Sequence, residues 1–437
     1  MAEALLVPSI YSQKIGVIME DVNGISFQYH KDFNASILPI SPISLPFDSN
    51  RVFNYYDAMP TKGLPGIFAD SLPDSFGTLA MREYFKRKRG IASGHFKLSA
   101  IEMLSYIGDD GIGAIEYAPM RKKEVDIALD IQAYASEMKK LYSGKADEVI
   151  NEILAHASPG GARPKASVLW NKKEDTLCLC HTSNMKNDLE PYIIKFDEEG
   201  KELTKIEYAY NQIANNAGIN TPEVALLHSG NETHFATKRF DRDEVNGKKF
   251  HQATLAGLTH EDFMGRLFPY ERYIRISQRL TESQKSAEEA YRRMIFNVIG
   301  RNCDDHIKNF SFLMNEQGKW SLSPAYDLIH SDGQASFGQH RMTINGKIDN
   351  ITLDDLLICG LNSGLEANFM KSTIEQISDL FSHVGAVLSA SGVSTETVKE
   401  IVHSVKPLSV SSFNNALKRA KKHKVKRAVR RQPKGSF

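Results

Sequence analysis

Residues 302–329, NCDDHIKNFSFLMNEQGKWSLSPAYDLI, constrain this chain more than any other stretch, because they set two carboxylates and an amide at fixed intervals. Asp304 lies five residues before Asn309, and Asp327 follows two apolar runs, 310–313 and 320–322, that flank turn residues at 315–318 and predict a hairpin. Upstream, Ala287, Ala290, Tyr291, Met294, Ile295, Val298 and Ile299 recur at helical spacing. Thr281 and Gln284 read as a capping box at its start and Gly300 as its stop. A buried amphipathic helix is therefore expected to deliver an acidic loop, and a loop that leaves a rigid element can hold its side chains to the tolerance chemistry needs.

Amide and carboxylate oxygens are the hard donors that Mg2+ takes, while an acid five residues upstream can accept the proton of an attacking hydroxyl. That interval separates the base and the metal-binding Asn of a kinase catalytic loop. Asp304 is then the base, with Asn309 and Asp327 as metal ligands, and Asp305 sits one residue too late. His306 and Lys308 add a donor and a cation that offset charge on a transferring phosphoryl group. Taken singly, each Asp reads equally as a polar helix end or a turn residue. The order of base, amide, hairpin and acid is what points to phosphoryl transfer.

A chain of 437 residues with 41% hydrophobic content can pack two or more cores, which excludes disorder throughout. It has no apolar run of 18 residues, and MAEALLVPSIYSQK lacks a basic region followed by an apolar stretch. No membrane span or signal peptide is expected, and the location implied is cytoplasmic. Cys178, Cys180, Cys303 and Cys359 show no CxxC spacing, so buried thiols are expected rather than zinc or disulfides. Eleven of the 54 Lys and Arg, and none of the 53 Asp and Glu, fall from Ile401 onward, so the preceding 400 residues carry ten excess acids. The basic tail either lies along nucleic-acid phosphates or is a solvated, disordered extension.

Elsewhere, residues 14–30 alternate on either side of Asn23 and Gly24, a two-residue hairpin signal. Residues 63–77 lead into a helix marked by Leu79, Met81, Tyr84 and Phe85, with the basic run 86–89 as its solvated last turn. Residues 108–119 read as a turn and short strand, in which Gly111 and Gly113 are a weak phosphate signal. The stretch SPGGARPKASVLW, 158–170, reads as a phosphate cradle of backbone N–H groups with Arg163 and Lys165, or as a tight surface turn. In PYIIKFD, Lys195 interrupts an apolar strand. It either meets an anion, with Glu207 as a candidate partner, or points into water from an edge strand. HFATKRFDR is a later strand whose Phe240 covers an adenine or fills the core, and the periodicity of 353–405 is helical.

In order, SPGGARPK, YIIKFD, KRFDR, CDDHIKN and SPAYDLI resemble the HipA family, the serine/threonine kinase toxins of bacterial type II toxin–antitoxin modules, over about residues 10–385. FADSLPDSFG and GIGAIEY look like that family's N-terminal subdomain. The resemblance implies an α+β, two-lobed protein-kinase-like fold with a β-rich N-terminal subdomain and a mostly helical C-terminal lobe. The expected division is an N-terminal part at 1–145, a kinase core at 146–405 and a basic tail at 406–437. By matching positions, Asp304 is the catalytic base, Asn309 and Asp327 hold Mg2+, and Lys195 and His306 contact ATP. Gly160, Gly161, Ala162, Arg163, Pro164 and Lys165 line the nucleotide loop, and Ser158 matches a regulatory autophosphorylated serine. Lys238, Arg239 and Phe240 stand beside the adenine pocket, Lys238 replacing the acid of the best-known member. Further implications are a HipB-type helix-turn-helix antitoxin, operator DNA bound through that complex, and an aminoacyl-tRNA synthetase as the protein substrate. Two readings from other classes stay open: a small-molecule phosphotransferase built on the same Asp, Asn and Asp, and a DNA-binding corepressor with little kinase activity.

Overall fold

The hairpin about Asn23 and Gly24 forms as expected, with Gly16–Asp21 paired antiparallel to Gly24–Tyr29 and Asp21 opposite Gly24. Gly24 takes φ +122°, a conformation open to glycine and resisted by any residue with a Cβ. The structure, a computed structural model, describes residues 4–430 except 56–60, 74, 92–96, 122–126, 130, 146–148, 150–164, 180–187, 198–200, 244–247, 265–266 and 332–337. Ser158, Gly160, Gly161, Ala162, Arg163 and Pro164 lie outside the described residues. The chain divides into two units, Met1–Thr204 with Pro222–Asp262 and Ser311–Ser323, and Lys205–Thr221 with Phe263–Phe310 and Pro324–Phe437.

In the first unit, the hairpin belongs to a sheet ordered Gln13–Lys14, Ala4–Ile10, Gly16–Asp21, Gly24–Tyr29, Val52–Asn54, with Ile115–Ala118 also paired to Ala4–Ile10. Phe27, Phe53 and Phe68 fill its buried face, the Phe27 and Phe68 rings 4.9 Å apart. Each contributes roughly 2–3 kcal/mol of apolar burial. A second sheet runs Val224–Ser229, Glu232–Lys238, Glu190–Lys195, Lys165–Asn171, Thr176–Leu179, Ile127–Leu129. Its core includes Ala80, from the expected helix Ser75–Lys88, and Tyr134, from Ile131–Tyr142, the latter stacked on Phe196 at 5.2 Å. Glu190–Lys195 is an interior strand of that sheet, which removes the edge-strand reading of Lys195. The hairpin after the acidic loop also forms, as Ser311–Met314 and Trp320–Leu322 beside His251–Thr254. Gly318 has φ +74°, and a Cβ there would stand 1.7 Å from the Ile37 carbonyl oxygen.

The second unit is mostly helical. The buried helix spans Gln284–Ile299, but the expected capping box is absent: Ser283 is its N-cap and bonds no backbone N–H through its side chain. Thr281 instead closes a separate helix, Tyr270–Thr281, and its hydroxyl donates to the Ser277 carbonyl at 2.7 Å. The physical reason is that Tyr270, Tyr273, Ile274 and Ser277 form a buried helical face of their own. Gly300 ends the next helix at φ −79°, so a left-handed turn does not explain the glycine. Close packing does, since a Cβ would stand 2.3 Å from the Phe381 ring, and the left-handed residue is Arg301 at φ +56°. Helices Leu353–Asn362, Ala367–Ser382, Val384–Ala390 and Thr395–Ser404 complete the predicted helical region. Beyond them, Phe413–Arg430 is a helix rather than a formless tail; it packs on Leu353–Asn362, burying Phe413, Ala416 and Ala420, with Arg419 bidentate to Asp354 at 2.6 and 2.7 Å. No helix among the described residues is long and apolar enough to cross a membrane.

Candidate active site

After Gly300, the left-handed Arg301 turns the chain, burying Asn302 and Cys303 and leaving the Asp304 side chain 57% exposed. The following 3-10 turn, Ile307–Asn309, folds Asn309 back so that its side-chain Nδ2 donates to the Asp304 carbonyl at 3.0 Å. That bond identifies the amide's two ends, because a carbonyl only accepts, and sets Oδ1 on the opposite edge. Asn309 and Asp327 line one hollow together with Asn297, Asn302, Asp305 and Tyr326. Asp327 is held at φ +53°, a left-handed conformation costing a non-glycine residue on the order of 1 kcal/mol, which persists only where the surroundings impose it. The Tyr326 hydroxyl, donating to the Lys308 carbonyl at 2.8 Å, ties that segment to the loop.

His306 is largely buried, its ring 5.3 Å from Phe263. Burial lowers its pKa, against the attraction of Asp304 and Asp327, so near neutral pH it is a neutral N–H donor rather than a cation. Lys308 stands with Nζ 4.9 Å above the same Phe263 ring. A Mg2+ ion takes few protein oxygens and leaves other positions to phosphate and water. Asn309 and Asp327, facing one hollow with an amide and a carboxylate, fit that donor requirement. Among the described residues, no group of three or more His, Cys, Asp and Glu forms a closed metal cage.

Asp305 has the opposite environment from Asp304. Only 1% exposed, it accepts from Tyr270 Oη at 2.7 Å, His340 Nδ1 at 2.9 Å and the Arg341 main-chain N–H at 2.7 Å. A buried carboxylate forfeits several kcal/mol of hydration, and three short bonds offset that loss. Tyr270, Asn297, Asn302, Ser331 and His340 carry no signal in the sequence: Tyr270, Ser331 and His340 come from segments tens of residues from Asp305, and no spacing rule links the nearby Asn297 and Asn302 to them. The doubled Asp is the available clue, since adjacent side chains on a loop point in different directions and one of this pair turns to the core.

In the first unit, Lys165 and Lys195 are direct cross-strand partners, so both ammonium groups leave the same face of the sheet. Like charges placed opposite repel, and an anion shared between them relieves the repulsion. Lys238 pairs with Glu190 at 2.7 Å and Glu223 at 3.7 Å. Arg239 is buried; it donates to both Asp241 oxygens at 3.0 and 2.8 Å and to the Gly111 carbonyl at 2.9 Å, while Phe240 is half-buried. Gly111 and Gly113, the weak phosphate signal, serve that cluster through main-chain atoms, Gly113 N–H meeting Asp241 at 2.7 Å.

Residues 9–118 match the model of the HipA N-terminal domain, and residues 157–390 that of the HipA-like C-terminal domain. The serine/threonine-protein kinase toxin HipA of Shewanella oneidensis is 23% identical over 372 residues, 77% of each chain. A solved structure of the Shewanella oneidensis MR-1 HipA, HipB and operator DNA complex superimposes with TM-score 0.62 at 19% identity over 97% of each chain, which establishes a shared α+β kinase-like fold. With matching family models spanning most of its length, the chain belongs to the HipA family and is a serine/threonine protein kinase.

Proposed function

We propose that this kinase uses ATP and Mg2+ to phosphorylate a protein hydroxyl, as the toxin of a toxin–antitoxin pair. The observation that carries the reading is the joined geometry of three residues: Asn309 donates to the Asp304 carbonyl while sharing a hollow with the left-handed Asp327. Asp304, exposed and acceptor-only, takes the proton of the attacking hydroxyl. Asn309 Oδ1 and the Asp327 carboxylate hold the cation, which when bound neutralises charge on the phosphates. Lys165 and Lys195 receive phosphate oxygens on their shared face, and Gly160, Gly161, Ala162, Arg163 and Pro164, outside the described residues, are assigned to the nucleotide from sequence alone. His306 donates to the nucleotide as a neutral imidazole, and Lys238, Phe240 and the main chain of Arg239, whose guanidinium is taken by Asp241, border the adenine.

The S. oneidensis complex supports an antitoxin and operator DNA as partners, and the antitoxin proposed is of the helix-turn-helix type. Lys418, Lys421 and Lys422, exposed on the helix Phe413–Arg430, add phosphate contacts. Replacing these three with Ala spares the packed face and should flatten the salt dependence of DNA binding by about 0.9 per lost contact. An aminoacyl-tRNA synthetase is the proposed substrate, with growth arrest as the consequence. Phosphorylation at Ser158 would add about −1.5 to −2 charge beside the nucleotide loop, compete with ATP for Arg163 and Lys165, and switch the protein off. The test is incubation with labelled ATP and a cell extract, then identification of every labelled chain. A labelled synthetase and Ser158 peptide are expected; label confined to a sugar or other small molecule would overturn the reading.

A further inference from the structure

Asp304 has an open setting for a base, because its carboxylate is exposed and the His306 ring, neutral near pH 7, stands with Nε2 3.9 Å away. Accurate placement of a reacting atom has to come from the main chain, since a displacement near 1 Å can cost about 10²-fold in rate. The main chain at Asp304 is held by a continuous line of hydrogen bonds. Its N–H donates to Ser331 Oγ at 2.9 Å, and the Ser331 hydroxyl donates to Asn302 Oδ1 at 3.3 Å. Asn302 Nδ2 donates to Asn297 Oδ1 at 3.0 Å, Asn297 Nδ2 donates to Tyr270 Oη at 3.0 Å, and Tyr270 donates to Asp305 Oδ2 at 2.7 Å.

Every proton in this line points the same way. The main-chain N–H can only donate and the Asp305 carboxylate only accepts, so the two ends dictate each hydroxyl and amide orientation between them. Bonds aligned head to tail polarise and strengthen one another, and Asn297, Asn302, Asp305 and the Tyr270 hydroxyl are buried where that effect is large. The line also closes on itself, because it begins at the main chain of Asp304 and ends on the side chain of the adjacent residue. We infer that Tyr270, Asn297, Asn302 and Ser331 form a one-way hydrogen-bonded ring that positions the Asp304 main chain for phosphoryl transfer, with Tyr270 as its anchoring residue. Tyr270, Asn297, Asn302 and Ser331 touch no reacting atom. They are positioning residues, and the inference rests on Asp304 being the base.

The experiment is a double-mutant cycle on the full-length protein between the two ends of the line, Tyr270→Phe and Ser331→Ala, read as ADP release from Mg2+-ATP. The parent and Asp304→Asn are run first. Turnover indifferent to Asp304 would overturn the proposed function itself. With Asp304 essential, each end variant should lower kcat about tenfold while KM for ATP stays within about twofold, and the double variant should lose little more than either alone. Ser277→Ala, which removes a buried hydroxyl on the same helix outside the line, should keep parental kcat. Multiplicative losses in the double variant, or equal changes in kcat and KM, would overturn the ring. Should Tyr270→Phe not fold, Asn297→Ser paired with Ser331→Ala gives the same cycle, since Asn302 stands between those two residues in the line.

Discussion

Around Asp241 and around Asp304 the chain gathers acids beside basic side chains, and uses them in different ways. Asp241 is buried and bonded to Arg239, Arg242 and Gly113 N–H, and both arginines go on to the Gly111 carbonyl at 2.9 and 2.8 Å. Burial alone would raise its pKa, but Arg239 and Arg242 hold it well below the usual carboxylate range. Around Asp304 the bonds close on the main chain instead, and the carboxylate stands in solvent. A charged cluster whose groups satisfy one another is a structural rivet, whereas one that anchors its backbone and leaves an acid outward has a group available to a substrate. In sequence, KRFDR and CDDHIKN looked alike as site motifs.

The largest effect expected from breaking this contrast is in Asp304→Asn, which should lower phosphoryl transfer about 10³-fold, or about 4 kcal/mol, with nucleotide affinity within about twofold. Transfer assays and equilibrium ATP binding read the two separately. Asp305→Asn should lose thermal stability and only about tenfold in rate; an equal 10³-fold loss in both would mean the wrong carboxylate carries the proton.

Asp241→Ala should act on stability instead, since it leaves two buried guanidiniums uncompensated at a cost of about 3 kcal/mol. Urea denaturation measures that loss, and turnover per folded molecule should change little. A stable but inactive variant would make the Asp241 cluster part of the site.

Acid sharpens the comparison. His251, buried and bonded through Nε2 to the Ile40 carbonyl at 3.0 Å, has its pKa pulled down to about 4 by burial. The unfolded chain therefore binds a proton there below about pH 6.5 and the folded chain does not, so stability is full above that pH and falls toward pH 4, by up to about 3 kcal/mol. Asp241, with a depressed pKa, loses its contribution only below the range of ordinary carboxylates. Denaturation curves at pH 7, 5.5 and 4 should show the loss, and His251→Asn should flatten it; the same slope in that variant would assign the acid limb elsewhere.

The smallest effect on stability belongs to Asp327→Gly. Relief of the left-handed strain and the added freedom of the unfolded chain nearly cancel, leaving a change below about 1 kcal/mol. The Mg2+-dependent part of ATP affinity should disappear even so. Affinity that still responds to Mg2+ would remove Asp327 from the metal site.

The elements near the site were legible where one rule acted over a short span. The Asn23–Gly24 hairpin, the buried face of Gln284–Ile299 and the hairpin after the loop follow from side-chain period and turn chemistry, which are local. Thr281 departs from its capping signal because that signal is also local, and a neighbouring buried face, Tyr270 to Ser277, takes the residue into its own helix. Lys195 could be identified as anomalous in an apolar strand, but whether the strand lay inside the sheet depended on partners from distant segments.

By itself the sequence determined the order and intervals of Asp304, Asn309 and Asp327, the helix that carries them and the charge of the final helix, because these depend on residues close along the chain. Tertiary structure alone decided that Asp305 turns inward to Tyr270 and His340, that Lys165 and Lys195 share a face, and that Arg239 is bound to Asp241 rather than exposed. Each of those outcomes is a choice among partners for a polar group removed from water. The choice is made by the large cost of leaving such a group unsatisfied, which no interval along the chain records.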